Sequence, residues 1–219
     1  MQETMNDTAI TDSGAEDLVH LHVSPPGFEA ILDALPDARA ATLAYDSEAE
    51  TLEIMAPSAE HDNDSRLFDA LILGIGLECD IEIETLGSVT LKRHERGIEP
   101  DSCFYIGEHA RAIRGKKQID LGNDPPPDIA VEVDISRARF DKRRLYSAIG
   151  VPEFWRYDGT TLEAYALRGG AYVETASSAA FQWLPIRDVQ RFLQMSPLKG
   201  KVATIRAWQA WIRTIAPRG

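Results

Sequence analysis

The sequence predicts a mixed α/β domain built on a central β-sheet that is flanked by helices. The chain has 219 residues, of which 44% are hydrophobic, and this suits one domain with short appendages. Alternating apolar and polar stretches, typical of strands, are interspersed with segments whose apolar residues recur every three or four positions, typical of helices. Across the middle of the chain these patterns follow the order helix, strand, strand, strand, helix, strand, which favours helices packed on a sheet.

The first half of the chain is predicted to form a tail, a strand, a helix, a hairpin and a long helix. Residues 1–17 are polar and acidic, which is typical of a disordered tail. Ser58 is a good N-cap for the long helix, in which His61 and Phe68 share the apolar face. The predicted bounds are a strand over 18–23, a helix over 25–35, hairpin strands over 42–45 and 51–55, and the long helix over 59–77.

The second half is predicted to hold most of the sheet. Gly150 is a suitable residue to end a helix, and Pro125, Pro126 and Pro127 close a long surface loop over 107–127. We expect a folded domain over 18–195 and a basic C-terminal helical appendage over 196–219. The predicted bounds are strands over 81–86, 99–106, 128–135 and 151–157, a helix over 140–149, a hairpin of 161–167 and 171–175, and helices over 186–194 and 203–215.

The net charge of −12 argues against broad binding of nucleic acid, because phosphate contacts need local positive charge. Two basic clusters, at 137–144 and 187–218, leave open either a positive channel for a polyanion or ordinary solvated helix faces. No apolar run reaches the roughly 18 residues that span a bilayer, and the first residues do not form a signal peptide, so a cytoplasmic location is expected. Two cysteines, Cys79 and Cys103, are expected to be free thiols.

Three carboxylates lie on one face of the predicted strand over 128–135. They are Asp128, Glu132 and Asp134, and Glu132 is flanked by β-branched residues. A buried carboxylate needs a cation or a donor, and a divalent metal ion is one candidate. Asp101 follows a proline at the start of another predicted strand, so Asp101 and Glu132 on adjacent strands would suit Mg²⁺. Asp128 would lie about 13 Å along the strand from Glu132, which favours a strand-end role.

A lysine on the following helix is the third candidate. Lys142 shares the inward face with Leu145, Tyr146 and Ile149, so it could reach Glu132 and stabilise an anionic transition state. The alternative is that Lys142 snorkels along the helix edge. His61 could likewise point into the site and orient a carboxylate or a water, or it could be satisfied by a backbone carbonyl.

These residues together resemble the PD-(D/E)XK nuclease superfamily, and more closely the Uma2 family, also named DUF820. The resemblance spans roughly residues 20–190. The motifs that carry it are Leu52-Glu53-Ile54-Met55-Ala56-Pro57-Ser58, His61, Glu99-Pro100-Asp101, Pro127-Asp128-Ile129-Ala130-Val131-Glu132-Val133, Lys142-Arg143-Arg144-Leu145-Tyr146 and Gly150-Val151-Pro152-Glu153-Phe154-Trp155.

The resemblance implies a restriction-endonuclease-like core with an N-terminal helix and hairpin extension. It implies that Asp101 and Glu132 bind Mg²⁺, for which Mn²⁺ can substitute. The superfamily places its lysine two residues after the acid, where this chain has Asp134, and Lys142 is the matching residue instead. The superfamily often adds a glutamate from the helix before the sheet, which makes Glu60 a further candidate catalytic residue beside His61.

The sequence therefore predicts a Mg²⁺-dependent endonuclease that hydrolyses DNA phosphodiester bonds. The alternative is a catalytically inactive interaction module on the same fold, which the net charge and the displaced lysine favour. A metal-dependent hydrolase of small molecules ranks third, because no motif defines a pocket. Trp208 and Trp211 form an apolar stripe on the last helix that would either seal a homodimer or cover the core.

Overall fold

The computed structural model of the chain describes residues 17–35, 41–56, 58–87, 89–93, 96–134 and 141–217. All but the last residue of the predicted tail, and the segment 135–140 with Arg137 and Arg139, lie outside the described residues. The elements in chain order are β1 (Asp17–His22), α1 (Pro25–Ala34), β2 (Thr42–Asp46), β3 (Thr51–Ala56), α2 (Ala59–Cys79), β4 (Ile83–Leu86), β5 (Leu91–Arg93), β6 (Arg96–Ile98), β7 (Ser102–Ile106), α3 (Glu108–Ile113), β8 (Ile129–Val133), α4 (Lys142–Ile149), β9 (Glu153–Tyr157), β10 (Leu162–Arg168), β11 (Ala171–Glu174), α5 (Ile186–Lys199) and α6 (Lys201–Ile215).

The first sheet is antiparallel, with the strand order β1-β3-β2-β6-β5. Helix α1 covers one of its faces, where Phe28 stacks on Tyr45 with ring centroids 4.2 Å apart and Leu52 is buried in the same cluster. Because neighbouring side chains of a strand point to opposite faces, Glu53 of β3 points away from α1. The first sheet therefore turns Glu53 toward the second sheet.

The second sheet has the order β11-β10-β9-β8-β7-β4, and its β8–β9 pair is parallel while its other pairs are antiparallel. Helix α4 makes the crossover between the two parallel strands. Helices α2, α5 and α6 cover one face, where Phe68, Trp155 and Trp208 are buried. Helices α3 and α4 and part of the first sheet cover the other face. Ser102 pairs with Val131, so Asp101 and Glu132 lie at the same end of neighbouring strands.

Most predicted elements are present near their expected bounds, and the mixed α/β class is confirmed. Strands β5 and β6 were not predicted, because three residues are too few for an alternating pattern to stand out. The predicted surface loop over 107–127 is wrong in part: it contains α3 and buries Ile113, Ile119 and Leu121. Cys79 and Cys103 are free thiols, as expected.

The last helix lies against the main core. Trp208 of α6 is fully buried, and its Nε1 donates to the Leu71 carbonyl oxygen of α2 at 2.7 Å. Gly74 allows this close approach, because a Cβ there would lie 3.1 Å from the indole of Trp208. Trp211 packs against Phe192, so the tryptophan stripe covers the core. Helix α5 runs without a break through residues 195 and 196, where the sequence predicts the boundary between the domain and the C-terminal appendage.

None of the helices in the described part of the chain combines the length and the apolar character that a membrane span needs.

Candidate active site

The candidate site occupies a cleft of about 370 Å³ between the two sheets and the start of α4. Glu53, Glu132 and Lys142 are its most deeply buried charged groups, and their side chains are 3%, 3% and 13% exposed. The cleft is lined by Leu18, Glu53 and Met55 from the first sheet, by Glu132, Val133, Asp134, Phe154, Arg156, Glu163 and Tyr165 from the second, and by Asp141, Lys142 and Arg143 at the start of α4.

Glu132 is held by two partners from α4. The Lys142 Nζ donates to Glu132 Oε2 at 2.7 Å, and the Tyr146 hydroxyl donates to Glu132 Oε1. Burial raises the pKa of Glu132 to about 8, the nearby Asp101 raises it as well, and Lys142 partly offsets both effects. The predicted contact between Lys142 and the carboxylate strand is therefore present, and the Tyr146 hydroxyl holds the other oxygen of Glu132.

Among the residues that the structure describes, Lys142 is the one lysine or arginine that lies deep in the cleft, and several carboxylates surround it. Burial disfavours its ammonium, but Glu132, Asp101 and Glu53 outweigh burial and raise the pKa of Lys142. With all four groups ionised, these three carboxylates and one ammonium carry a formal charge of −2. An excess of buried negative charge is unfavourable unless a cation compensates it or a carboxylate takes up a proton, and the raised pKa of Glu132 is a response of the second kind.

Asp101 lies directly before β7, and its two carboxylate oxygens differ in their surroundings. Its Oδ2 accepts from the Val133 backbone N–H at 2.8 Å and lies 2.9 Å from His61 Nε2. Its Oδ1 is buried and has no hydrogen-bond partner within the described part of the chain. Asp101 does not line the cleft, but it is close enough to raise the pKa of Glu132. A buried acceptor without a partner is unusual and is a group that a cation satisfies.

These residues fit a divalent ion held by few protein ligands. Among the residues that the structure describes, no group of three or more His, Cys, Asp or Glu side chains could hold a metal ion. Mg²⁺, however, commonly keeps several waters and takes only one or two carboxylates. Asp101 Oδ1 and the Glu132 carboxylate supply hard oxygen donors of that kind, so the donor set suits Mg²⁺ or Mn²⁺ and would not make a closed structural site.

His61 joins this group, while Glu60 does not. The Ser58 hydroxyl accepts from the His61 backbone N–H at 3.2 Å, which fixes the first turn of α2 and leaves the His61 side chain buried. Glu60 is exposed on that same turn. Successive helical residues differ in direction by about 100°, so the turn that brings His61 to Asp101 directs Glu60 to solvent. A catalytic role for Glu60 therefore receives no support from its position.

The other acids of the predicted motifs have structural partners. Asp134 accepts from Arg156 Nε at 3.0 Å at the end of β8. Asp128 accepts from the Ile106 backbone N–H at 2.7 Å and lies 2.9 Å from His109, in agreement with the expected strand-end role. Glu99 is buried, and its carboxylate accepts from the Leu43 backbone N–H at 3.0 Å, which ties it to the first sheet.

Glu53 was missed as a site residue. Its Oε1 lies 3.7 Å from the Lys142 Nζ, and its Oε2 lies 2.9 Å from His20 Nε2 on the neighbouring strand β1. Glu53 stands between Leu52 and Ile54 in an apolar strand, which is the same sequence signal that singled out Glu132. That signal could have found it, but nothing in the local pattern places the hairpin against α4.

Comparison with known proteins identifies the class. The family model Uma2, described as "Putative restriction endonuclease", matches residues 30–198. The match covers most of the chain and includes Glu53, His61, Asp101, Glu132 and Lys142, and the chain therefore belongs to the Uma2 family. The resemblance stated from the sequence motifs is confirmed, and the family description supports a nuclease role.

A solved structure with a related description is also similar. It is titled as a crystal structure of "a putative nuclease belonging to DUF820" from Anabaena variabilis ATCC 29413. The two chains are 13% identical with a TM-score of 0.49, and the match covers 85% of this chain and 99% of the other. Among proteins with curated functions, none matches this chain significantly.

Proposed function

We propose that this protein is a Mg²⁺-dependent endonuclease that hydrolyses DNA phosphodiester bonds. The observation that carries the proposal is the buried Asp101 Oδ1, which has no hydrogen-bond partner in the described part of the chain and lies at the level of Glu132 on the neighbouring strand. Membership of a family described as restriction endonucleases supports a divalent metal and a nucleic-acid substrate. The excess of carboxylates over ammonium groups favours a cation at the same place.

Each residue has a defined role in the proposed reaction. Bound Mg²⁺ would lower the pKa of a coordinated water and neutralise charge on the scissile phosphate. Asp101 and Glu132 are the proposed ligands, and His61 and the Val133 backbone N–H keep the Asp101 carboxylate in one orientation. Lys142 carries three rotatable donors on a flexible stem, which suits it to hold an attacking water and to stabilise the phosphorane charge.

The test is cleavage of supercoiled plasmid DNA with Mg²⁺ or Mn²⁺. We expect nicking or linearisation by the wild type and loss of activity in Glu132→Ala. Glu163→Gln is a matched control, because Glu163 lines the same cleft but bonds to Arg156 and Tyr165 rather than to Lys142. If Glu132→Ala cleaved as fast as the wild type, the assignment of the site would be wrong.

One observation favours the alternative of an inactive interaction module. Both oxygens of Glu132 already have protein partners, and the cations at the edge of the cleft are paired as well, Arg143 with Asp141 and Arg156 with Asp134. Titration with Mn²⁺ by calorimetry separates the two functions. Absence of binding at millimolar Mn²⁺ would favour the inactive module.

The oligomeric state and the location of the protein stay predictions from the sequence. A homodimer would give two sites for the two strands of a duplex, and sedimentation equilibrium would measure it. The division into a tail at 1–17, a domain over 18–195 and a helical segment over 196–219 is likewise a proposal, and limited proteolysis would test it.

A further inference from the structure

We propose that Glu53 is a positioning residue that takes over the Lys142 ammonium from Glu132 when Glu132 binds the metal ion. This inference rests on the proposed function. It assigns to the first sheet a role in the site beyond lining the cleft. It also explains how a glutamate that is bonded to a lysine can become free to bind an ion.

Metal binding and the contact with Lys142 conflict at Glu132. In the structure the Lys142 Nζ lies 2.7 Å from Glu132 Oε2, and the Tyr146 hydroxyl occupies Oε1. An ion bound to Glu132 would place two positive charges beside an ammonium in a region of low dielectric, where like charges repel strongly. Lys142 must therefore move away from Glu132 when the ion binds.

A lysine that leaves Glu132 needs a new partner. The side chain of Lys142 is only 13% exposed, so its ammonium cannot simply turn into bulk water. A buried ammonium without a partner is costly. The Lys142 ammonium can therefore leave Glu132 only if a small displacement of the Nζ brings it to another carboxylate.

Glu53 provides that carboxylate at a suitable distance. Its Oε1 lies 3.7 Å from the Lys142 Nζ, whereas a hydrogen bond between an ammonium and a carboxylate is about 2.7–2.9 Å long. A displacement of about 1 Å, well within the reach of rotations along the lysine stem, would form the bond.

Glu53 is itself held in place while the lysine moves. Its Oε2 lies 2.9 Å from His20 Nε2, and His20 is its direct partner across the β1–β3 pair. Strand β3 lies between β1 and β2, so its backbone is hydrogen-bonded on both sides. The side chain of Glu53 is 3% exposed. A fixed acceptor opposite a mobile donor is the arrangement that a transfer of this kind requires.

The first experiment measures Mn²⁺ affinity of the full chain by calorimetry near pH 8 for the wild type, Glu53→Gln, Lys142→Met and the double variant. We expect Glu53→Gln to weaken binding about tenfold, the size typical of residues that support metal ligands. In the Lys142→Met background the same change should alter affinity less than about twofold, because no lysine remains to be relocated. Glu163→Gln, a cleft carboxylate without contact to Lys142, should bind as the wild type does.

Several results would overturn the proposal. Unchanged affinity in Glu53→Gln would remove any role for Glu53, and an equal loss in both backgrounds would make Glu53 a direct metal ligand instead. The wild type could bind Mn²⁺ while the Glu53→Gln affinities differ from those expected. The proposed function would then stand, and only the transfer of the Lys142 ammonium to Glu53 would be wrong. If the wild type bound no Mn²⁺ at millimolar concentration, both would be wrong.

A second experiment avoids variants altogether. In a crystal structure of the wild type with Mn²⁺ bound, we expect the Lys142 Nζ within hydrogen-bond distance of Glu53 Oε1 and beyond that distance from Glu132. A lysine that stays on Glu132 with the ion present would overturn the proposal, whatever the variants do.

Discussion

Replacing Glu132 by glutamine tests the electrostatics of the site without any metal. The pKa of Glu132 is raised to about 8 from an ordinary value of 4.5, chiefly by burial. Between these values the folded protein binds a proton that the unfolded chain does not, so this group lowers the free energy of unfolding as pH rises. Its stabilising contribution is fully present below pH 4.5 and is lost as pH rises through 8. Glutamine cannot titrate and lacks this dependence.

The size of the effect follows from linkage. Each pH unit in the window changes the free energy of unfolding of the wild type by about 1.4 kcal/mol. The stability of Glu132→Gln relative to the wild type should therefore rise by on the order of 4 kcal/mol between pH 5 and pH 8. The Glu132 side chain is 3% exposed, so solvent screens its charge little. Lys142 and Asp101 are charged neighbours of Glu132, so the difference reports on the Glu132 carboxyl together with its effect on these two groups.

The assay is urea unfolding in chelator, followed by tryptophan fluorescence. Trp155 and Trp208 are fully buried and should report loss of the core. Glu163→Gln is the control for removal of a cleft carboxylate, since Glu163 is 37% exposed and pairs with Arg156 rather than with Lys142. A Glu132→Gln difference that stayed constant or fell with rising pH would refute the reasoning, because it would mean that Glu132 is an ordinary charged partner of Lys142 at pH 5.

Three further predictions concern single side chains. Asp101→Asn should weaken Mn²⁺ binding at least tenfold in calorimetry. The fold should be kept, because the amide oxygen can still accept from the Val133 N–H, and unchanged affinity would remove Asp101 from the metal site. Tyr146→Phe should lower the free energy of unfolding by about 1–3 kcal/mol in urea, because the buried Glu132 Oε1 loses its donor, and a neutral result would contradict that. Trp208→Ala should cost about 3–5 kcal/mol in the same assay, and a cost below 1 kcal/mol would contradict the packing of α6 on the core.

Periodicity was sufficient to predict the parts of the site that lie on neighbouring elements. Asp101 and Glu132 lie at the same end of neighbouring strands because β7 and β8 pair, and Lys142 contacts Glu132 because α4 follows β8 and returns over the same face. His61 was placed correctly on the apolar face of α2, since the Ser58 cap fixes the helix phase. In each case the place of a residue in a regular strand or helix pattern predicts the face on which its side chain lies.

The remaining features depend on contacts between the two sheets, and local patterns carry no information about those. Glu53 was visible as an acid in an apolar strand, but its contact with Lys142 depends on how the hairpin packs over α4. Strands β5 and β6 are held by pairing with β2 rather than by their own pattern. Glu60 was chosen by family resemblance, and the helix phase that buries His61 exposes it.

The central claim is that Asp101 and Glu132 together bind one divalent ion. An anomalous difference map from crystals soaked in Mn²⁺ tests it most directly. We predict one peak at about 2.1 Å from Asp101 Oδ1 and from an oxygen of Glu132. A peak bound elsewhere, or no peak at millimolar Mn²⁺ with Lys142 still bonded to Glu132, would contradict the claim.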